Sequence, residues 1–199
     1  MIRKLWHRLF PPQLPPRDVW LTFDDGPHPR NTPKVLATLR RHGIHATFFL
    51  CGKEAAAAPE LVARIAAEGH SIGNHTYNHH DLTKLEADAI AAELEQTRTL
   101  LAAHQRDWRL FRAPYGSLDA RSDAVVRELG YKAHKWNVDP SDWRHSYIPR
   151  RWVSIALEQM RPKREAVVVM HDRLAITARH LDFFIRRVKA AGPVQFRQL

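Results

Sequence analysis

Apolar positions along this chain follow two rhythms. Short apolar runs of about five residues alternate with longer stretches in which apolar residues recur every three or four positions. The run VWLTF (19–23) reads as a strand. Residues 32–43 predict a helix, with Thr32 as N-cap, Pro33 in the first turn and Gly43 closing it. A strand at 46–50 and a helix at 58–70, ending at Gly69, repeat the pattern. A short strand (71–75) and a long helix (82–105) follow, the latter with Thr83 and Glu86 spaced as a capping box. Then come a strand (109–114), a helix (118–130), a strand with alternating faces (132–140), a helix (148–160), a buried strand (165–171), a helix (178–192) and a last strand (194–196). The result is about seven βα units, hence an α/β fold with parallel strands and right-handed crossovers. Periodicity leaves a closed barrel and an open sheet both standing.

In either architecture, groups at the C-terminal strand ends share one face. Polar residues collect there. Asp24 and Asp25 follow the first strand, His75 and His79 the third, Arg112 to Tyr115 the fourth, Asp139 to Trp143 the fifth and His171 the sixth. Chance would scatter them over both ends, so this co-location predicts an enzyme site. Two histidines four apart can present both imidazoles to one point, and a carboxylate completes a three-ligand set that leaves a position open for water. His80, next door, competes for the second place. Successive residues leaving a strand diverge, so one aspartate of the 24–25 pair can bind a cation while the other faces water. An isolated Asp-Asp-Gly-Pro is also a plain turn.

Charge and composition narrow the partners. The 199 residues suit one catalytic domain, 18–199, after a basic, Pro-rich extension, 1–17. The formal net charge is +10, and from Arg144 to Leu199 there are 12 Lys and Arg against 4 Asp and Glu. Such a surface favours anionic partners, and it is equally what solvated helix faces give. No zinc-finger spacing, RNP pattern, GxGxxG or P-loop is present, so neither nucleic acid nor nucleotide is expected. The single cysteine, Cys51, ends an apolar run and reads as a packed thiol. Ile2, Leu5, Trp6, Leu9 and Phe10 lie at helical spacing, opposite Arg3, Lys4, His7 and Arg8. This stripe suits peripheral membrane contact through residues 1–10, or packing against protein. Without a signal-peptide pattern the expected location is cytoplasmic, at the membrane's inner face if the stripe binds lipid.

The segments TFDDGP, HTYNH, RAPY, DPSDW and VVVMH together resemble, in order, the five motifs of the polysaccharide deacetylases with a NodB-homology domain, the family-4 carbohydrate esterases. The likeness runs from about Val19 to His171 and is nearest to the NodB-type chitooligosaccharide deacetylases. It implies a single distorted (β/α) barrel of about seven units. It implies removal of N-acetyl groups from N-acetylglucosamine-containing oligo- or polysaccharide, with Zn²⁺ or another divalent transition metal. By position, Asp24 is the implied general base, paired with Arg112. His171 is the implied general acid, paired with Asp142. Asp25, His75 and His79 are the implied metal ligands. Tyr115, Trp143, Pro114 and Val169 line the implied substrate pocket, the Tyr115 amide meeting the oxyanion and Val169 standing where the family usually has leucine. The alternatives are an amidohydrolase of the same fold acting on a small amide or imide, and a non-catalytic glycan- or membrane-associated protein.

Overall fold

The structure is a computed structural model that describes residues 17–144 and 150–199. Its strands are β1 (Arg17–Asp24), β2 (Thr47–Leu50), β3 (Ser71–Asn74), β4 (Leu110–Phe111), β5 (Lys132–Ala133), β6 (Glu165–His171) and β7 (Val194–Arg197). Its α-helices are α1 (Thr32–His42), α2 (Gly52–Ala57), α3 (Pro59–Ala67), α4 (Ala87–Leu101), α5 (Ala120–Glu128), α6 (Arg151–Met160) and α7 (Ala175–Ala190). The strands form one parallel sheet in the order β5-β4-β3-β2-β1-β6. It curls into the distorted (β/α) barrel that the resemblance implies. β7 pairs with the lower part of β1, Arg17 to Trp20, while β2 pairs with its upper part, Thr22 to Asp24.

Burial drives the curl. Leu21, Phe23, Phe48 and Ile72 from the sheet meet Val35, Leu36 and Leu39 of α1 and Leu181, Phe184 and Ile185 of α7 in one core. Each such side chain contributes about 1.5–3 kcal/mol by leaving water. Leu82, Ile90, Leu94, Phe111, Val126 and Tyr131 form a second cluster beneath β4.

Several local expectations shift. Thr32 is the first helical residue of α1, and Asn31 takes the N-cap. The Thr32 hydroxyl accepts the His28 N–H at 2.7 Å and donates to the Asp172 carboxylate, so it is not free to cap. The Thr83–Glu86 capping box does not form. Asp81 takes both the Thr83 N–H and hydroxyl, making a separate 3₁₀ turn (Leu82–Lys84), and α4 starts only at Ala87. Helix α2, six residues without an apolar period, escaped the pattern reading.

The strand expected over 132–140 is broken. Only Lys132 and Ala133 pair with β4. The chain then bends and returns to β6, where Val138 bridges Val168. Asn137 completes this closure with its side chain, accepting the Val167 N–H at 2.9 Å and donating to the Glu165 carbonyl at 3.0 Å. The amphipathic stripe of residues 1–10 lies outside the described residues. Among those that are described, no helix is long and apolar enough to cross a membrane.

Candidate active site

Register sets the site's floor. Asp24 is level with Phe49 on one side and His171 on the other, and Asn74 is level with Phe111. The expected residues thus emerge at one height around a cavity of about 490 Å³, lined by Asp24, Asp25, His75, His79, Tyr115, Trp143, Val169 and His171.

Asp24 is buried and paired. Arg112 Nη1 donates to its Oδ1 at 2.9 Å and to the Thr22 hydroxyl at 2.6 Å, while Nε donates to the His134 carbonyl. The guanidinium is 1% exposed and lies 4.2 Å from the Phe49 ring centroid and 5.5 Å from that of Trp136. Burial lowers the Arg112 pKa, and the charge of Asp24 opposes that. Removing one member of so buried a pair costs about 3–5 kcal/mol, because the other charge is left alone.

Asp25, His75 and His79 bring one donor atom each within 4.8 Å of one another. Asp25 Oδ1 lies 3.4 Å from His75 Nε2 and 3.1 Å from His79 Nε2, yet it is buried with no hydrogen-bond partner. His75 Nδ1 donates to the Arg112 carbonyl at 2.7 Å, which fixes the tautomer and turns the Nε2 lone pair toward Asp25. Burial pushes the Asp25 carboxyl up, and the two imidazoles outweigh it and hold it well below the carboxylate range. An unpartnered oxygen converging with two nitrogens fits a divalent transition metal such as zinc. His80 is not in the cluster; its Nδ1 lies 3.2 Å from Glu93 on an exposed flank.

His171 stands across the cavity. Asp142 Oδ1 accepts its Nδ1–H at 2.7 Å, and Oδ2 accepts its backbone N–H and the Thr177 hydroxyl. Burial alone would depress this imidazole; the hydrogen bond and charge of Asp142 outweigh it and raise the pKa to about 9. Tyr115 is exposed, with its ring 4.7 Å from that of His79. Among the described residues no backbone carbonyl accepts the Tyr115 N–H. Pro114 and Val169 are buried and Trp143 is half exposed at the rim.

Four contributors went unread in the sequence. Glu93 of α4 is buried and accepts the N–H groups of Tyr77 and Asn78 and the Asn78 amide, all within 2.8 Å, and so shapes the turn between the two histidines. Its signal is an acid on the buried face that carries Ile90, Leu94 and Leu101. Asp172, fully buried, accepts from Thr32 and fills the space where a Cβ at Gly26 would stand. Burial lifts its carboxyl to about 7 against the hydrogen bond from Thr32. Arg173 lies at the mouth, its Nη1 3.7 Å from Asp25 Oδ2. Trp136, on the segment expected as a strand, lines the cavity.

Residues 12–134 match the family model described as Polysaccharide deacetylase. The chain is 42% identical over 158 residues to a chitooligosaccharide deacetylase from Bradyrhizobium sp. (strain ANU 289), covering 78% of this chain and 71% of that protein. Among solved structures it is similar to the Bc1960 peptidoglycan N-acetylglucosamine deacetylase (TM-score 0.84, 32% identity, covering 93% of this chain and 87% of that one). It is also similar to a family 4 carbohydrate esterase from Streptomyces lividans in complex with acetate (TM-score 0.80, 31% identity, 90% and 91%). With the five segments gathered at one end of the barrel and these likenesses spanning most of the chain, the protein belongs to the polysaccharide deacetylase family.

Proposed function

We propose that this site removes N-acetyl groups from N-acetylglucosamine units of an oligo- or polysaccharide and that it needs a divalent metal to do so. The observation that carries this reading is the level placement of Asp24 and His171 on paired strands, each with a buried partner, beside the Asp25–His75–His79 cluster. Asp25 Oδ1, His75 Nε2 and His79 Nε2 would hold the ion, which when bound acidifies water and polarises a carbonyl.

The chain's own groups supply the rest. Asp24, oriented by Arg112, takes the proton of the attacking water. The free Tyr115 N–H meets the oxygen of the acetyl group as negative charge develops there. His171 begins protonated and gives its proton from Nε2 to the leaving amine, since Nδ1 is engaged by Asp142. The carbon–nitrogen bond breaks, and acetate and a free amino sugar leave. Val169 beside His171 and the rings of Tyr115, Trp136 and Trp143 give the acetyl methyl and the sugar an apolar wall.

The experiment is acetate release from N-acetylglucosamine oligomers of increasing length, with added zinc and with EDTA. Zinc-dependent release that rises with chain length supports the reading. Release indifferent to chelation would remove the metal from it, and activity confined to small amides or imides would move the chain to the amidohydrolase alternative.

A further inference from the structure

The opposite end of the barrel carries a feature the deacetylase reading does not use. At the N-terminal strand ends, Arg17, Arg161, Lys163 and Arg164 line a second cavity of about 190 Å³, with no carboxylate on its walls. Arg17 builds it. Its Nε donates to the Lys163 carbonyl at 2.8 Å, its Nη2 to the Arg161 carbonyl at 3.2 Å, and its N–H to the Pro193 carbonyl at 2.9 Å. The loop before β6 and the loop before β7 are thereby braced together. Among the described residues none of these four cations lies within ion-pair distance of a carboxylate, and the nearby Asp18 is held by Arg197 at 2.8 Å. Four like charges around one hollow repel one another, and an anion placed among them relieves that repulsion.

We propose that this end of the barrel is a docking face for an anionic lipid surface, with the four-cation cavity receiving phosphate-bearing headgroups. The inference is independent of what the other end catalyses. Lipid is favoured over a soluble polyanion by what is attached at Arg17. Six residues, four of them proline, separate Phe10 from Arg17. At roughly 3.3 Å per residue that tether spans no more than about 23 Å. Phe10 therefore stays within that reach of Arg17, and Ile2, Leu5, Trp6 and Leu9, interleaved with Arg3, Lys4 and Arg8, precede it in the chain. Apolar side chains that enter a headgroup layer, beside cations that meet its phosphates, are the composition of an interfacial anchor. β1 runs from Arg17 at the cavity to Asp24, roughly 23 Å at about 3.3 Å per step, so a chain docked this way turns its cleft away from the bilayer.

The test is flotation of the full chain with phosphatidylglycerol vesicles, compared with phosphatidylcholine vesicles. Preferential flotation with phosphatidylglycerol is expected. Arg161→Ala, Lys163→Ala and Arg164→Ala together should weaken it about 100-fold, near fivefold for each cation lost from an anionic surface. Acetate release from soluble oligomers should be unchanged, which also shows that the variant folds. A second variant, Leu5→Asp with Leu9→Asp, changes no residue of β1 to β7 or α1 to α7 and should also weaken binding. Equal flotation on both lipids overturns the proposal, as does a triple variant that floats like the parent. So does a parent that binds single-stranded oligonucleotide as tightly as phosphatidylglycerol and loses both together.

Discussion

The two ends of the barrel reverse the chain with different residues. At the base, helices α1, α3, α5 and α7 run out into turns where Gly43, Gly69, Gly130 and Gly192 take positive φ. Glycine adopts that conformation without steric cost. At the top, one glycine, Gly116, takes positive φ, and so do five residues with side chains, Asp25, Thr76, His79, Tyr115 and Ser141, all in or beside the segments that form the cleft. A side chain held there costs about 1–3 kcal/mol, and for β-branched Thr76 the conformation is a true outlier. The same geometric demand is met by glycine where only a turn is needed and by a functional side chain where chemistry is needed. The buried Arg112–Asp24 pair and the orphaned Asp25 oxygen add to the cost at the top. The core of phenylalanine and aliphatic side chains beneath offsets it.

Substitutions can break or sharpen this contrast. The largest effect is expected for Asp24→Asn, which keeps the shape but removes the proposed base. Its deacetylation rate should fall about 10²–10⁴-fold while zinc binding, read by calorimetry, persists. Near-parental turnover would remove Asp24 from that role. Thr76→Gly relieves the backbone at φ 66° but deletes the hydroxyl that accepts the His79 N–H at 3.1 Å. The melting temperature should stay within a few degrees while zinc affinity drops about 10–100-fold, the usual cost of losing a group behind a ligand. Unchanged zinc affinity would separate the turn from the cluster.

Asp142→Asn acts through pH. The folded His171 pKa of about 9 lies above its ordinary 6.5, so pairing with Asp142 stabilises the fold fully below about 6.5 and the benefit fades as pH rises through about 9. A catalytic acid with that pKa loses activity over the same alkaline limb. The asparagine variant should move the limb acidward by a unit or more in a kcat/KM profile, and an unmoved limb would assign it to another group. The smallest effect belongs to the base. Nothing lies within 4 Å of a Cβ at Gly43, so Gly43→Ala meets only its φ of 64°. It should cost about 1 kcal/mol, a few degrees of melting temperature, with turnover unchanged.

The same contrast explains what could be read in the chain. Helix ends at the base were legible because Gly43, Gly69 and Gly130 are local signals read from one residue. The buried strands were legible because apolar runs such as 165–171 have few other fates. The strand ends carrying Asp24, His75, Arg112 and His171 followed from the order of those runs. What stayed hidden depends on partners far away in sequence. Thr32 is drawn from capping by Asp172, 140 residues on. Thr177 joins Asp142 across 35 residues. Glu93 serves a turn 15 residues before it. After Ala133 the chain leaves β4 and reaches β6 through the backbone of Asn137 and Val138 and the side chain of Asn137, and alternation of faces does not encode that.

That closure gives the barrel uneven mechanics. Strands β1, β2, β3, β6 and β7 are tied by runs of backbone bonds, and β6 is locked to β1 over seven residue pairs. Among the described residues the ring is completed more sparsely, by the Asn137 and Val138 N–H groups on the Val167 carbonyl, the Val169 N–H on the Val138 carbonyl, the Asn137 amide and, above them, the grip of Asp142 on His171. Stress applied to the cleft is therefore borne unequally. The arc of Asp24, Asp25, His75 and His79 is stiff, and the arc of Trp136 and Trp143 is compliant. The width of the groove and the geometry of its chemistry are therefore set by different stretches of chain.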